Sequence, residues 1–124
     1  MDTEALRRRL PGWACDPRAW RGVLLALLQV VSWFAFSPVQ FRDGDLPMDK
    51  LRHLAVFGVL AWVALQGWAR APARVAAALL AYGVFIELVQ SRVPGRHASA
   101  ADVLADVAGI ALGLLAARVF SVVR

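Results

Sequence analysis

The chain has 124 residues, of which 60% are hydrophobic and 19% are charged, and its mean hydropathy is +0.57. This length allows one domain, and the long apolar blocks exclude an ordinary water-soluble fold because only lipid accommodates so much apolar surface. The net charge of +5 comes almost entirely from arginine. These arginines flank the apolar blocks instead of lining one polar face, which argues against nucleic acid as a partner. The single cysteine, Cys15, excludes an internal disulfide.

The elements follow from the apolar blocks in chain order. Residues 1–19 form a polar, basic N-terminal tail, and residues 20–123 form one transmembrane domain. Its predicted helices cover residues 20–38, 49–68, 74–91 and 102–123, and the linkers between them are rich in proline, glycine and charge. Asp49 stands where a helix N-cap or first-turn acid is favoured. The sequence therefore predicts an all-α, multi-pass bundle of four antiparallel transmembrane helices.

The charges of the linkers predict the orientation of this bundle. Placing the N-terminus in the cytoplasm puts the more basic segments inside, as the positive-inside rule requires. The inner segments then hold Arg7, Arg8, Arg9, Arg18, Arg21, Arg70, Arg74, Arg118 and Arg124, and the outer segments hold Arg42, Lys50, Arg52, Arg92 and Arg96. We therefore expect both termini to be cytoplasmic. The arginine- and alanine-rich composition is typical of a bacterial protein, and the expected location is the plasma (inner) membrane.

Polar residues gather at the outer ends of three predicted helices. Asp49 and His53 are four residues apart, as are Asp102 and Asp106, so each pair shares one helix face. Glu87 lies near the end of the third helix. Acids at membrane depth are costly unless they pair inside the bundle, and they indicate a functional site by default. The sequence therefore predicts a shared polar site at the outer side.

The site residues are assigned two kinds of role. Candidates for catalysis are His53, Glu87, Asp102 and Asp106, and candidates for substrate binding are Asp49, Lys50, Gln90, Arg92 and Arg96. A purely structural interpretation stays open: Asp49 caps a helix, Glu87 pairs with Arg92 or Arg96, and the aspartates of the fourth helix fix packing. His53 and the acids could ligate a metal, but with only two histidines in the chain no metal and no cofactor is predicted.

Small residues predict close packing of the last helix. Gly109 and Gly113 form a G-x-x-x-G pair, and such pairs let helix backbones approach closely in lipid. Gly83, on the face of Glu87, is expected to serve the same purpose in the third helix.

The ordered motifs resemble a known family. They are Asp49-Lys50-x-x-His53-x-x-x-Phe57-Gly58, Glu87-x-x-Gln90, Pro94-x-Arg96 and Asp102-x-x-x-Asp106-x-x-Gly109. This set resembles the VanZ-like family of small bacterial integral membrane proteins, which is named after a protein associated with teicoplanin resistance. One departure is Asp106, where members typically carry asparagine.

Two functions from different classes follow. The first is an outer-leaflet site that binds or acts on a lipophilic or lipid-linked envelope molecule, linked to glycopeptide tolerance. In it, Arg92 and Arg96 hold a phosphate or carboxylate, and His53 or Glu87 handles a proton. The alternative is a non-catalytic scaffold or accessory subunit, whose polar cluster locks the helices and docks a partner. Proton-coupled transport is disfavoured because the acidic and histidine residues all lie at one side. The sequence leaves open whether a reaction is catalysed and whether the chain forms a homo-oligomer.

Overall fold

The computed structural model describes residues 2–37, 46–95 and 98–123, except for the side chains of residues 46 and 47. Within these residues the chain is entirely helical, which confirms the all-α prediction. The helices are α1 (Thr3–Arg9), α2 (Pro17–Phe36), α3 (Leu46–Gly67), α4 (Pro72–Gln90) and α5 (Ala100–Val119), with a 3-10 turn at Gly12–Cys15. The N-terminal tail thus contains a short helix of its own before the first long one.

All four long helices begin earlier than the sequence predicted, and local signals explain three of these starts. Pro17 and Pro72, interpreted as chain breakers, instead occupy the first turns of α2 and α4. Proline is favoured there because its fixed φ suits a helix and its missing N–H has no helical partner. The side chain of Ser99 caps α5 by accepting a hydrogen bond from the Ala101 amide at 3.1 Å. These signals move each start by two or three residues and leave the helix faces unchanged.

Three helices are long and apolar enough to cross a membrane, namely α2, α4 and α5. Helix α3 is longer, with 22 residues, but its first turns carry Asp49, Lys50 and Arg52. That α3 also crosses the membrane, as the fourth of the predicted spans, therefore stays a prediction. All four long helices are nevertheless packed together in one bundle.

Hydrogen bonds define the direction of each helix. His53, early in α3, bonds Asp106, early in α5, so these two helices run in the same direction. Gln90 at the end of α4 donates from its amide to the carbonyl of Ala35, near the end of α2, at 3.1 Å. The start of α2 meets the end of α3, where Arg21 donates to the Gly67 carbonyl at 3.0 Å. Helices α2 and α4 therefore run against α3 and α5.

Glycines form the contact between α3 and α5, which is the most extensive in the fold. A Cβ atom at Gly109 would collide with the backbone carbonyl of Leu54, and one at Gly113 with the carbonyl of Gly58. Backbone cannot move aside as a flexible side chain can, so these positions admit only glycine. The predicted close approach at Gly109 and Gly113 is confirmed, and it fixes the two helices that carry most of the polar groups.

Candidate functional site

His53 is the centre of a polar cluster formed by the starts of α3 and α5 and the end of α4. Its ring Nδ1 donates a hydrogen bond to Oδ1 of Asp106 at 2.8 Å. Its Nε2 faces Oε1 of Glu87 at 3.8 Å, which is too long for a hydrogen bond. We call this region, with Asp49, Lys50 and Asp102, the His53 end of the bundle. The ends of these three helices therefore lie together, as the sequence predicted.

Asp106 is fully buried and lies behind the imidazole. Its second oxygen, Oδ2, accepts no hydrogen bond among the described residues. Gly83 makes room for that oxygen, since a Cβ atom there would lie 2.7 Å from Oδ2 and 3.3 Å from the ring of Phe57. Gly83 was expected to bring helix backbones together. Its role in the structure is instead to admit the Asp106 carboxylate.

Glu87 links α4 to the start of α5. Its Oε2 accepts a hydrogen bond from the backbone amide of Ser99 at 3.0 Å. Its Oε1 is buried, points towards His53 and accepts no hydrogen bond among the residues described. The ion pair with Arg92 that the structural interpretation suggested is absent from the described contacts. Arg96, the other suggested partner, lies outside the described residues.

Asp49, Lys50 and Asp102 complete the cluster on the side towards solvent. The Lys50 ammonium lies 3.6 Å from Oδ1 of Asp102, which is only 3% exposed and has no hydrogen-bond donor within the described parts of the chain. One oxygen of Asp49, one of Asp102 and one ring nitrogen of His53 lie within 4.8 Å of one another. Asp49 is exposed, whereas Asp102 is buried. The cluster is therefore rich in acid and only partly neutralised.

Two other predicted residues, Gln90 and Arg92, are placed differently. Gln90 is buried, but its amide donates to the Ala35 carbonyl and so helps to pack α2. Arg92 is exposed in the turn after α4, and among the described residues no side-chain contact joins it to the cluster. Arg96 lies outside the described residues.

A groove of about 400 Å³ opens beside the cluster, between α2, α3 and α4. One part of it is apolar and the other part is polar. Its apolar wall includes Val30, Val31, Phe34, Val56 and Ile86, and its polar end is lined by Asp49, Arg52, His53 and Gln90. The sequence placed Arg52 at the outer side but assigned it no role in the site. Its spacing of three residues from Asp49 places both on neighbouring helix positions and could have revealed it.

A comparison with protein-family models identifies the family of the chain. A family model described as VanZ/LLP1 matches residues 16–121, which is most of the chain. The chain belongs to the VanZ/LLP1 family. No curated protein and no solved structure matches it.

Membership of the VanZ/LLP1 family confirms the resemblance drawn from the motifs. The motif residues Asp49, Lys50, His53, Glu87, Asp102 and Asp106 all meet at the His53 end. Three helices able to cross a membrane fit a membrane protein of the VanZ type. The asparagine typical of the family at position 106 could also accept the hydrogen bond from His53. The VanZ/LLP1 name itself assigns no reaction.

Proposed function

We propose that this chain is a multi-pass protein of the bacterial plasma membrane whose His53 end binds an amphiphilic molecule of the cell envelope. In this arrangement α3 also crosses the membrane, which makes four spans with α2, α4 and α5. Both termini are cytoplasmic, and the His53 end faces outwards. The contacts support this because the basic residues Arg18, Arg21, Arg70 and Arg74 then share the opposite, cytoplasmic side. The site lies at the level where lipid headgroups are found.

The observation that carries the proposal is the groove between α2, α3 and α4. Its apolar wall and its polar end are continuous, so one molecule can contact both. An acyl or polyprenyl chain would lie against Val30, Val31 and Phe34 of α2. A phosphate or carboxylate head group would reach the polar end, where Arg52 supplies a guanidinium, and Arg92 and Arg96 are further candidates.

The pair of His53 and Asp106 gives this site a chemical capability. A carboxylate that accepts from one ring nitrogen fixes the orientation of the imidazole and leaves Nε2 to act as a base or ligand. Glu87, 3.8 Å from Nε2, is placed to share a proton with it. We propose that His53 and Glu87 handle a proton at the bound head group, in keeping with general acid–base chemistry. Glycopeptide tolerance is the cellular effect proposed for this binding.

The scaffold alternative is favoured by one feature of the same cluster. Each of its contacts joins two helices: His53 to Asp106, Lys50 to Asp102, and Glu87 to the amide of Ser99. On this alternative the cluster locks the helices and docks a partner protein. The two functions predict different amounts of protein in the membrane after a substitution in the cluster. A binding site predicts an unchanged amount, and a scaffold predicts a reduced one.

Three substitutions in cells test the proposal: His53→Ala, Glu87→Gln and Arg96→Ala. We expect each to abolish teicoplanin tolerance and envelope integrity, while immunoblots of the membrane fraction show an unchanged protein level. Arg70→Ala, an arginine in the turn at the opposite side, is the matched control and should behave as wild type. Normal tolerance in all three variants would refute a functional site, and lost protein in all three would favour the scaffold.

A further inference from the structure

We propose that the His53 end holds a divalent cation, with Asp49, His53 and Asp102 as ligands and Asp106 orienting the histidine. The cation belongs to the class of Zn²⁺ or Mn²⁺. This site revises the expectation from the sequence, in which two histidines appeared too few for a metal. It rests on the proposed function only for the head group that the cation would face. With Nε2 of His53 bound to the cation, Glu87 alone would handle the proton at that head group.

The geometry brings the three ligands together from two helices. Asp49 and His53 are four residues apart on α3, and Asp102 comes from the first turn of α5. Their ligand atoms lie within 4.8 Å of one another. Bonds of about 2.0–2.2 Å to a tetrahedral ion separate its ligands by roughly 3.3 Å, so each pair of ligand atoms would close by at most about 1.5 Å.

Buried oxygens without donors are the independent observation for a cation. Oδ1 of Asp102 and Oε1 of Glu87 are buried, and neither accepts a hydrogen bond among the described residues. A buried acceptor left without a donor is costly. When Nδ1 of His53 donates to Asp106 and the imidazole is neutral, Nε2 and the Glu87 oxygen face each other as two acceptors. A proton or a metal ion between them removes this repulsion.

The hydrogen bond between His53 and Asp106 favours a metal ion over a proton as the group bound at Nε2 of His53. Histidines that bind metals commonly donate their other ring N–H to a carboxylate, which fixes the ring and makes it a better ligand. The bond of 2.8 Å from His53 to the fully buried Asp106 has this form. Lys50, which is 38% exposed and 3.6 Å from Asp102, is a cation that a metal ion can displace towards solvent.

The ligand types narrow the choice of ion. One imidazole together with carboxylates suits Zn²⁺ or Mn²⁺, whereas Mg²⁺ prefers oxygen ligands alone. The charge also has a consequence for the groove. The carboxylates of Asp49, Glu87 and Asp102 would repel an anionic head group, and a bound divalent cation cancels two of these three charges and gives the head group a cation to contact.

The experiment uses the full chain, purified in detergent and stripped with EDTA, and titrates it with Zn²⁺, Mn²⁺ and Mg²⁺ in a calorimeter. We expect one Zn²⁺ or Mn²⁺ to bind per chain and Mg²⁺ to bind much more weakly. Asp49→Asn and Asp102→Asn should weaken binding at least tenfold, and Asp106→Ala on the order of 10- to 100-fold. Lys50→Met should tighten binding, because it removes the competing cation.

Controls separate a lost site from a lost fold. Asp49 is exposed, so Asp49→Asn should unfold at the wild-type temperature in EDTA while it loses the metal. Arg70→Ala should bind the metal as wild type does. Absence of stoichiometric binding to wild type, or wild-type affinity in both Asp49→Asn and Asp102→Asn, would overturn the proposal.

The same protein distinguishes this failure from failure of the proposed function. If an envelope amphiphile co-purifies with the wild-type chain but no metal binds, the cation site alone is wrong. If the metal binds and no amphiphile co-purifies, the proposed function alone is wrong.

Discussion

The two ends of α3 both bury polar side chains, but they treat them differently. At one end, Gln66 is 1% exposed, and both the oxygen and the nitrogen of its amide form hydrogen bonds. Its Oε1 accepts from the backbone amides of Val122 at 2.9 Å and Val123 at 3.2 Å, and its Nε2 donates to the Trp62 carbonyl. At the other end, Asp102, Glu87 and Asp106 each bury one oxygen that accepts no hydrogen bond from the described residues.

This difference separates packing from binding. A polar group that only holds a fold together is satisfied by the fold, as Gln66 is by the segment after α5. Groups left with unused acceptors cost stability, and the cost is understandable where a ligand supplies what is missing. The His53 end therefore has the properties of a site, and the Gln66 end has those of a structural lock. The predictions below test this contrast.

The largest effect is expected from breaking the contact that holds both ends in place. Gly113→Leu puts a side chain onto the backbone carbonyl of Gly58 and should cost about 3 kcal/mol or more. Both ends should be lost together, measured as loss of folded protein in a thermal unfolding assay in detergent. Ala111→Leu, on the exposed face of α5, is the matched control and should unfold as wild type does. A stable Gly113→Leu variant would contradict the close packing of α3 on α5.

A smaller effect is expected at the structural lock. Gln66→Leu leaves the buried amides of Val122 and Val123 without their acceptor and should cost about 2–3 kcal/mol. The folded fraction should still bind the amphiphile and the metal, because the His53 end is unchanged. Gln29→Leu, at an exposed position of α2, is the control with the same chemical change and should leave the unfolding temperature unchanged. Loss of ligand binding in folded Gln66→Leu protein would mean that the two ends are not separate.

The smallest effect on stability is expected at the site itself. Glu87→Gln keeps an oxygen that can accept from the Ser99 amide, and its new NH₂ can donate to Nε2 of His53. The free energy of unfolding should therefore change by less than about 1 kcal/mol, although a buried charge is removed. Thermal unfolding of Glu87→Gln and Gln66→Leu in the same detergent checks that Glu87→Gln is the less destabilised of the two. If Glu87→Gln is the more destabilised variant, the His53 end is a structural lock after all.

The sequence predicted this site better than it predicted the contacts within it. Spacing of four residues placed Asp49 with His53 and Asp102 with Asp106, and the short turns between helices predicted that these faces meet. Spacing along one chain does not define how far α5 is rotated against α3. That rotation follows from the backbone contacts of Gly109 and Gly113. It brings Asp106 within hydrogen-bonding distance of Nδ1 of His53.

Other differences have equally local causes. Gln90 was expected to bind substrate and lines the polar end of the groove, but the sequence did not indicate that its amide also reaches the Ala35 carbonyl of α2. Helix starts were placed too late because Pro17 and Pro72 were interpreted as breaks and not as first-turn residues. Arg52 was passed over because its position on the groove depends on α2, whose packing no spacing within α3 reveals.

The most direct test of the contrast between the two ends is native mass spectrometry of the chain extracted gently from its own membrane. Wild-type protein and folded Gln66→Leu should both carry a bound envelope amphiphile, while the folded fraction of His53→Ala should lose it. If folded His53→Ala retains the same bound molecule as wild type, the His53 end does not form a binding site.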